Sequence, residues 1–331
     1  MAKKTKPKND GYVLDIIMPH YNEPWETGRP FFDMLACQRM CDFSKIRVIL
    51  VHDGVVPFSD SLFEKYPYKV EQYNIPHKGV SAARNHGLDK ASATWVAFCD
   101  FDDTYSNAYS MKFVFDVLDT EDYDMLWGDF YMEFISPERQ VVTASDAFNM
   151  VFIHNKYFRL SKLREIGLRF NEEVCYTEDC AFLSVYGVKV AMKRIGHINN
   201  KVPLYVWGWR DGSATTDPAN KLRNMEHLFK GDKYIYEQYR EMDFEDTAGM
   251  AFRTVTDAYY YLTREDKPEG CEQLERDVYA FWKEHKAEIR TVDKEKLGRI
   301  LNASMKAAKN TITINENRPP FVEWLKGLEH V

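Results

Sequence analysis

Short apolar runs alternate with amphipathic stretches through the first half of the chain. Val13 to Met18 and Arg47 to Val51 are apolar runs with β-branched residues, and they predict two strands. Between them, Pro30 opens a segment through Cys41 that reads as a helix with proline in its first turn. This is a β-α-β unit. A third strand is expected near Lys69 to Tyr73, then a helix capped by Ser81 and running through Lys90, then the strand Trp95 to Cys99. Asn107 is the expected cap of a helix from Ala108 to Leu118, ahead of a strand at Asp124 to Trp127. Such alternation predicts an α/β fold, a mostly parallel sheet flanked by helices, whose ligands bind beyond the C-terminal strand ends.

The pattern loosens in the middle of the chain. The expected pieces there are a strand at Met150 to Ile153, a short helix from Ser161 and a loop from Gly167 to Tyr176. A helix capped by Thr177 and ending before Gly187 follows, then strands at Val188 to Met192 and Val202 to Trp207. From residue 218 apolar residues recur at helical spacing: Phe252, Val255, Tyr259 and Leu262, then Leu274, Val278 and Phe281, then Phe321, Trp324, Leu325 and Leu328. The chain thus reads as a flexible basic N-terminus over 1–10, an α/β domain over 11–217 and a helical C-terminal region over 218–331. The cluster Tyr259, Tyr260 and Tyr261 reads as core and groove lining. The amphipathic final helix suits internal packing first, a homo-oligomer second and a membrane surface third.

With 45% hydrophobic and 29% charged residues among 331, most of the length can bury a core. Lys plus Arg count 44 against 51 Asp plus Glu, and the net charge of −7 argues against a surface built to hold polyanions. No run approaches the roughly 18 apolar residues of a membrane span. No signal-peptide core follows the Lys-rich start. The six cysteines are scattered, and Cys37/Cys41 and Cys175/Cys180 lack companion zinc ligands. A cytoplasmic chain, at most peripheral to a membrane, is expected.

The candidate chemistry lies at the strand ends. The first strand runs into Pro19-His20-Tyr21-Asn22-Glu23, the second into His52-Asp53-Gly54, and the fourth into Asp100-Phe101-Asp102-Asp103. No GxGxxG turn and no Walker loop occur, which excludes the usual nicotinamide and P-loop sites. Carboxylates directly after a buried strand suit Mg²⁺ or Mn²⁺, with diphosphate oxygens filling the remaining positions. A DxDD string alone also caps loops. An EF-hand is disfavoured because its glycine and distal glutamate are missing.

Upstream of the acidic cluster stands Gly79-Val80-Ser81-Ala82-Ala83-Arg84-Asn85-His86-Gly87-Leu88, then a strand, then Cys99-Asp100-Phe101-Asp102-Asp103. With Pro19-His20-Tyr21-Asn22 and His52-Asp53-Gly54-Val55, this order resembles family-2 glycosyltransferases of the GT-A fold, the Rossmann-like nucleotide-diphospho-sugar transferases, across residues 12 to 215. The resemblance implies inverting, metal-dependent transfer of a sugar from a UDP-sugar to an acceptor hydroxyl, with Mn²⁺ or Mg²⁺. By position, Pro19, Tyr21 and Asn22 belong to the donor-binding element. Tyr21 lies against the base and Asp53 accepts an imide N–H, which favours uracil. Arg84 stands near the diphosphate, Asp100 holds the ribose or sugar side and assists the metal, and Asp102 is the main metal ligand.

Tyr176-Thr177-Glu178-Asp179-Cys180 resembles the family's E-D element, which implies Asp179 as general base with Glu178 orienting. The same residues also make a plain helix start. Leu204 to Ser213 resembles the strand and basic turn that close over the donor, bringing Arg210 toward the diphosphate and offering Trp207 and Trp209 as ring faces. Gly128-Asp129 faces the acceptor in this reading. The chain departs from the family pattern at His52 and Val55, in place of Asp and Ser, and at His77, which stands where Asn is usual; these touch the choice of nucleotide more than the reaction. The acceptor stays open among glycans, lipid-linked saccharides, proteins and modified DNA bases. Two other readings are a nucleotidyltransferase on a related fold, whose Gly-rich N-terminal loop is missing here, and a sugar-binding protein without catalysis.

Overall fold

The computed structural model describes residues 11–118, 122–135, 140–145, 148, 150–199, 201–209, 217–309 and 311–330. The expected flexible segment 1–10 and the turn carrying Arg210 lie outside them. The chain divides into two compact units, one of Met1–Cys175 with Phe182–Arg210 and one of Tyr176–Ala181 with Asp211–Val331.

In the first unit, β1 (Leu14–His20), β2 (Ile46–Asp53), β3 (Lys69–Ile75), β4 (Trp95–Phe98), β6 (Met125–Trp127), β9 (Lys156–Arg159) and β10 (Ile195–His197) form a seven-stranded sheet ordered β10-β6-β9-β4-β1-β2-β3. Only β9 runs against its neighbours, pairing antiparallel with β4 and β6. Every residue of β2 and β4 is buried, as expected of parallel strands covered on both faces. The helices α1 (Trp25–Ala36), α2 (Val80–Lys90), α3 (Ser110–Leu118), α4 (Leu160–Glu165) and most of α5 (Glu178–Lys189) accompany it.

A second, four-stranded sheet was not anticipated: β5 (Thr104–Tyr105), β7 (Phe130–Ile135), β8 (Gln140–Ser145) and β11 (Tyr205–Trp209), ordered β5-β11-β7-β8. Other local expectations fail for identifiable reasons. Pro30 sits inside α1, which starts at Trp25; both Pro30 and Glu26 are exposed, so the carbonyl that loses its partner faces water. Ser81 does not cap α2. Gly79 does, at φ 93°, and the buried Ser81 hydroxyl donates instead to the Val174 carbonyl at 2.8 Å. Met150 to Ile153 is loop, because the chain turns at Asn155 (φ 50°) before β9 starts. Gly187 lies within α5 rather than after it, since the helix runs on to Lys189. The strand expected at Val188 to Met192 is consequently displaced to β10.

The second unit is helical: α6 (Lys221–Glu241), α7 (Thr247–Leu262), α8 (Glu272–Ile289), α9 (Lys294–Lys309) and α10 (Phe321–Gly327). Met250, Phe252, Val255, Tyr259, Tyr260 and Leu262 are all buried, which makes α7 the central helix of this core. Among the described residues no helix is long and apolar enough to cross a membrane.

Candidate active site

β1 and β2 run in register to their C-terminal ends, where His20 lies opposite His52. Both histidines are buried and hydrogen-bonded Nδ1 to Nδ1 at 2.9 Å. The next residues turn outward. Tyr21 is 43% exposed, and its ring stacks on His77 with centroids 4.4 Å apart and 17° between planes. Pro19 pairs with Val51 on β2 but lies past Ile17, the last residue of β1 paired with β4, and Asn22 is exposed in the loop beyond.

Asp53 ends β2 beneath this ring pair. Its carboxylate accepts hydrogen bonds from the Lys78 and Gly79 amides at 2.7 and 2.9 Å, and meets His77 Nδ1 at 2.8 Å. One side chain therefore closes β2 and supplies the start of α2 with an anion. Gly54 makes the turn possible with φ 77°, and a Cβ there would sit 2.6 Å from that of His77. The product is an exposed two-ring platform backed by a nearly buried carboxylate.

The acidic turn after β4 splits into two kinds of aspartate. Asp103 is buried, accepting from the Tyr205 hydroxyl at 2.7 Å and the Gly208 amide at 3.0 Å. Burial and the neighbouring charges of Asp100 and Asp102 push its carboxyl well up. Asp103, grouped with the others by sequence, is committed to fastening β11. Asp100 is more than a third exposed and accepts from Arg84 Nη2 at 2.8 Å. Arg84 itself is buried under the turn, with its guanidinium 5.3 Å from the Phe170 ring centre. Phe101 anchors the turn from within: a Cβ on Gly28 of α1 would come 2.3 Å from that ring.

Among the described residues no three His, Cys, Asp or Glu side chains are grouped to hold a metal by themselves. Asp100 and Asp102 offer the oxygen donors that a hard cation prefers, and both retain some exposure. Two carboxylates fit an ion that shares its remaining positions with a diphosphate.

Glu178 and Asp179 open α5. The residue before them, Thr177, has φ 65°, a conformation that costs a β-branched residue on the order of 1–3 kcal/mol. Such strain persists only where the surroundings impose it. The Thr177 carbonyl accepts from Ala181 N at 3.0 Å, and Asp179 Oδ1 accepts from Cys180 N at 2.8 Å. Just upstream, Tyr176 is tied to Tyr261 of α7, and burial holds its hydroxyl far above the usual phenol range.

The family model for glycosyl transferase family 2 matches residues 15–189, more than half of the chain. The chain belongs to this family. Its curated relatives include the glycosyltransferase EpsJ of Bacillus subtilis (strain 168), 24% identical over 281 residues that cover 77% of this chain and 76% of EpsJ. Among solved structures, S. aureus TarS residues 1–349 in complex with UDP matches with TM-score 0.50 at 16% identity, covering 93% of this chain and 98% of that one. The mannosyltransferase PcManGT of Pyrobaculum calidifontis, solved with GDP-Man and Mn²⁺, matches with TM-score 0.50 at 13% identity, covering 99% and 87%. These likenesses establish the GT-A fold.

In this family 2 glycosyltransferase the matched segment runs from β1 to the last residue of α5, so α6 to α10 lie outside it. Asp129 is buried with its carboxylate 2.9 Å from His197 Nε2, and the His197 ring stacks on Trp127 at 3.9 Å. Trp207 packs near Phe152; the Trp209 side chain and Arg210 lie outside the described residues. Sequence reasoning missed His154. It is buried among Phe130, Phe152, Tyr205 and Trp207, and its Nε2 has no hydrogen-bond partner among the described residues. Burial and the charges of Lys156 and Arg84 hold it well below the usual imidazole range, hence neutral. A lone histidine in an apolar run carries no pattern that would have singled it out.

Proposed function

We propose that the chain is an inverting, metal-dependent glycosyltransferase that moves a sugar from a UDP-sugar to an acceptor hydroxyl. The observation that carries this reading is the acidic turn: one aspartate is buried as a strut while Asp100, braced by Arg84, and Asp102 keep some exposure. Asp102, with Asp100, would hold Mn²⁺ or Mg²⁺. A cation bound there would offset the charge of the leaving diphosphate. Tyr21 and His77 present ring faces to the base, and Asp53 has one acceptor position beyond its three contacts for an imide N–H, which favours uracil. Pro19 and Asn22 shape that loop. Arg84 neutralises Asp100, and Arg210 is assigned to the diphosphate by its place in the family.

Inversion requires the acceptor oxygen to attack the anomeric carbon opposite the leaving group while a base removes its proton. Asp179 takes that proton and Glu178 orients it. UDP in TarS and GDP-Man with Mn²⁺ in PcManGT support a nucleotide-sugar donor with a cation on this fold. Calorimetric titration of UDP, GDP, CDP and dTDP, with Mn²⁺ and then EDTA, tests the reading. Tight, metal-dependent selection of UDP is expected; binding of none of the four overturns it. Asp179→Asn is expected to keep UDP binding and lose transfer by about 10³-fold, and near-normal transfer would remove Asp179 from the role.

A further inference from the structure

A hydrogen-bond chain crosses the donor rim beneath Tyr21. His20 Nε2 lies 2.8 Å from the Glu23 carbonyl, His20 Nδ1 lies 2.9 Å from His52 Nδ1, and His52 Nε2 lies 2.9 Å from Gln72 Oε1. The two ends of this chain fix its protons. The Glu23 carbonyl only accepts, so His20 Nε2 carries hydrogen. Gln72 uses its amide nitrogen to donate to the Phe58 carbonyl at 3.0 Å and to Asp60 Oδ1 at 2.7 Å. Its oxygen therefore faces His52, and His52 Nε2 also carries hydrogen. The central nitrogen pair still needs a proton of its own. Two imidazoles with three N–H protons carry one positive charge.

We propose that His20 and His52 are a positioning pair that shares one added proton, pins the Tyr21 loop to the sheet while protonated, and makes nucleotide-donor binding proton-dependent. Burial and the charge of its neighbour press His52 down to about 4, so His52 stays neutral. The His20 ring lies 4.6 Å from that of Phe58 and 4.7 Å from that of Phe101, aromatic contacts that favour a cation. The charged and titratable groups around the pair are Glu23, whose carboxylate holds the Tyr21 amide at 3.1 Å, Asp60 beyond Gln72, Asp53 turned onto residues 77–79, and His77 against Tyr21. Loss of the shared proton sets two lone pairs face to face and frees the loop that carries Tyr21.

The inference rests on the UDP-donor reading, and its test separates the two. In the ¹⁵N-histidine-labelled full chain near neutral pH, NMR is expected to show one imidazolium and one neutral ring at positions 20 and 52. Two neutral rings overturn the proposal whatever UDP does. UDP affinity, measured with Mg²⁺ across pH, is expected to fall about tenfold in all as the proton is lost. His52→Gln supplies an N–H to His20 without the added proton and is expected to flatten that profile. His52→Phe removes the link and is expected to weaken UDP about tenfold at every pH, the equivalent of one hydrogen bond. An unaltered profile in His52→Gln, or a profile flattened by His77→Phe alone, overturns the pair's role. If UDP fails to bind the wild-type chain at any pH while the imidazolium is present, the donor reading fails and the proton assignment stands.

Discussion

The two ends of the central sheet both carry buried charge, yet they are built on opposite principles. At the N-terminal end Asp15 of β1 faces Arg47 of β2 in register, and neither is appreciably exposed. Asp15 takes both Arg47 Nε and Nη2 at 2.9 Å and the Ser92 and Ala93 amides at 2.7 and 2.9 Å. Arg47 reaches the Ser92 hydroxyl at 2.8 Å and Glu71 at 3.3 Å. Every strong donor and acceptor is spent on the protein itself. At the C-terminal end Tyr21, His77 and Asp100 keep exposed surface beside fully engaged partners. A saturated buried ion pair is architecture; a braced but open group is available to a ligand.

Asp102→Ala breaks the open end. Transfer is expected to drop by about 10³-fold, with the melting temperature within a few degrees of wild type. A steady-state assay beside a thermal melt measures both. Asp15→Asn breaks the closed end, removing the buried charge that faces Arg47 and turning an amide donor toward the Ser92 and Ala93 amides, at a cost of about 3–5 kcal/mol. Denaturant unfolding reads that loss, and the molecules that remain folded are expected to bind UDP as before. A selective loss of UDP affinity would erase the distinction between the two ends. The smallest effect is expected at His154→Phe, which fills the same aromatic cage without an unpartnered nitrogen and gains about 1 kcal/mol. Destabilisation would show that the nitrogen has a partner in solution.

Much of this architecture was legible because buried parallel strands leave dense apolar runs and polar strand ends. β1, β2, β3 and β4 stand close to their expected places, and Tyr21, Asp53 and Asp100 to Asp103 reach the rim. The four-stranded sheet was not legible: β5 has two residues, and β7 mixes Tyr, Met and Glu with no clean alternation. Nor were the partners of the rim residues. No spacing shows that Asp53 bends back on residues 77–79, that Arg84 lies under Asp100, or that Asp103 serves β11. Those pairings depend on long-range contacts between segments, and Asp15, one carboxylate in an apolar run, has no local pattern.

The double duty of Asp53 limits how this protein can change over evolutionary time. The carboxylate assigned to the nucleotide base also anchors the amides at the entrance to α2, the helix that carries Arg84. A substitution that retunes the base therefore loosens a helix start in the same step, and capping losses of this kind cost about 1 kcal/mol. Drift toward another nucleotide through His77, exposed at the rim, costs the carboxylate one of its three contacts and leaves those to the Lys78 and Gly79 amides in place.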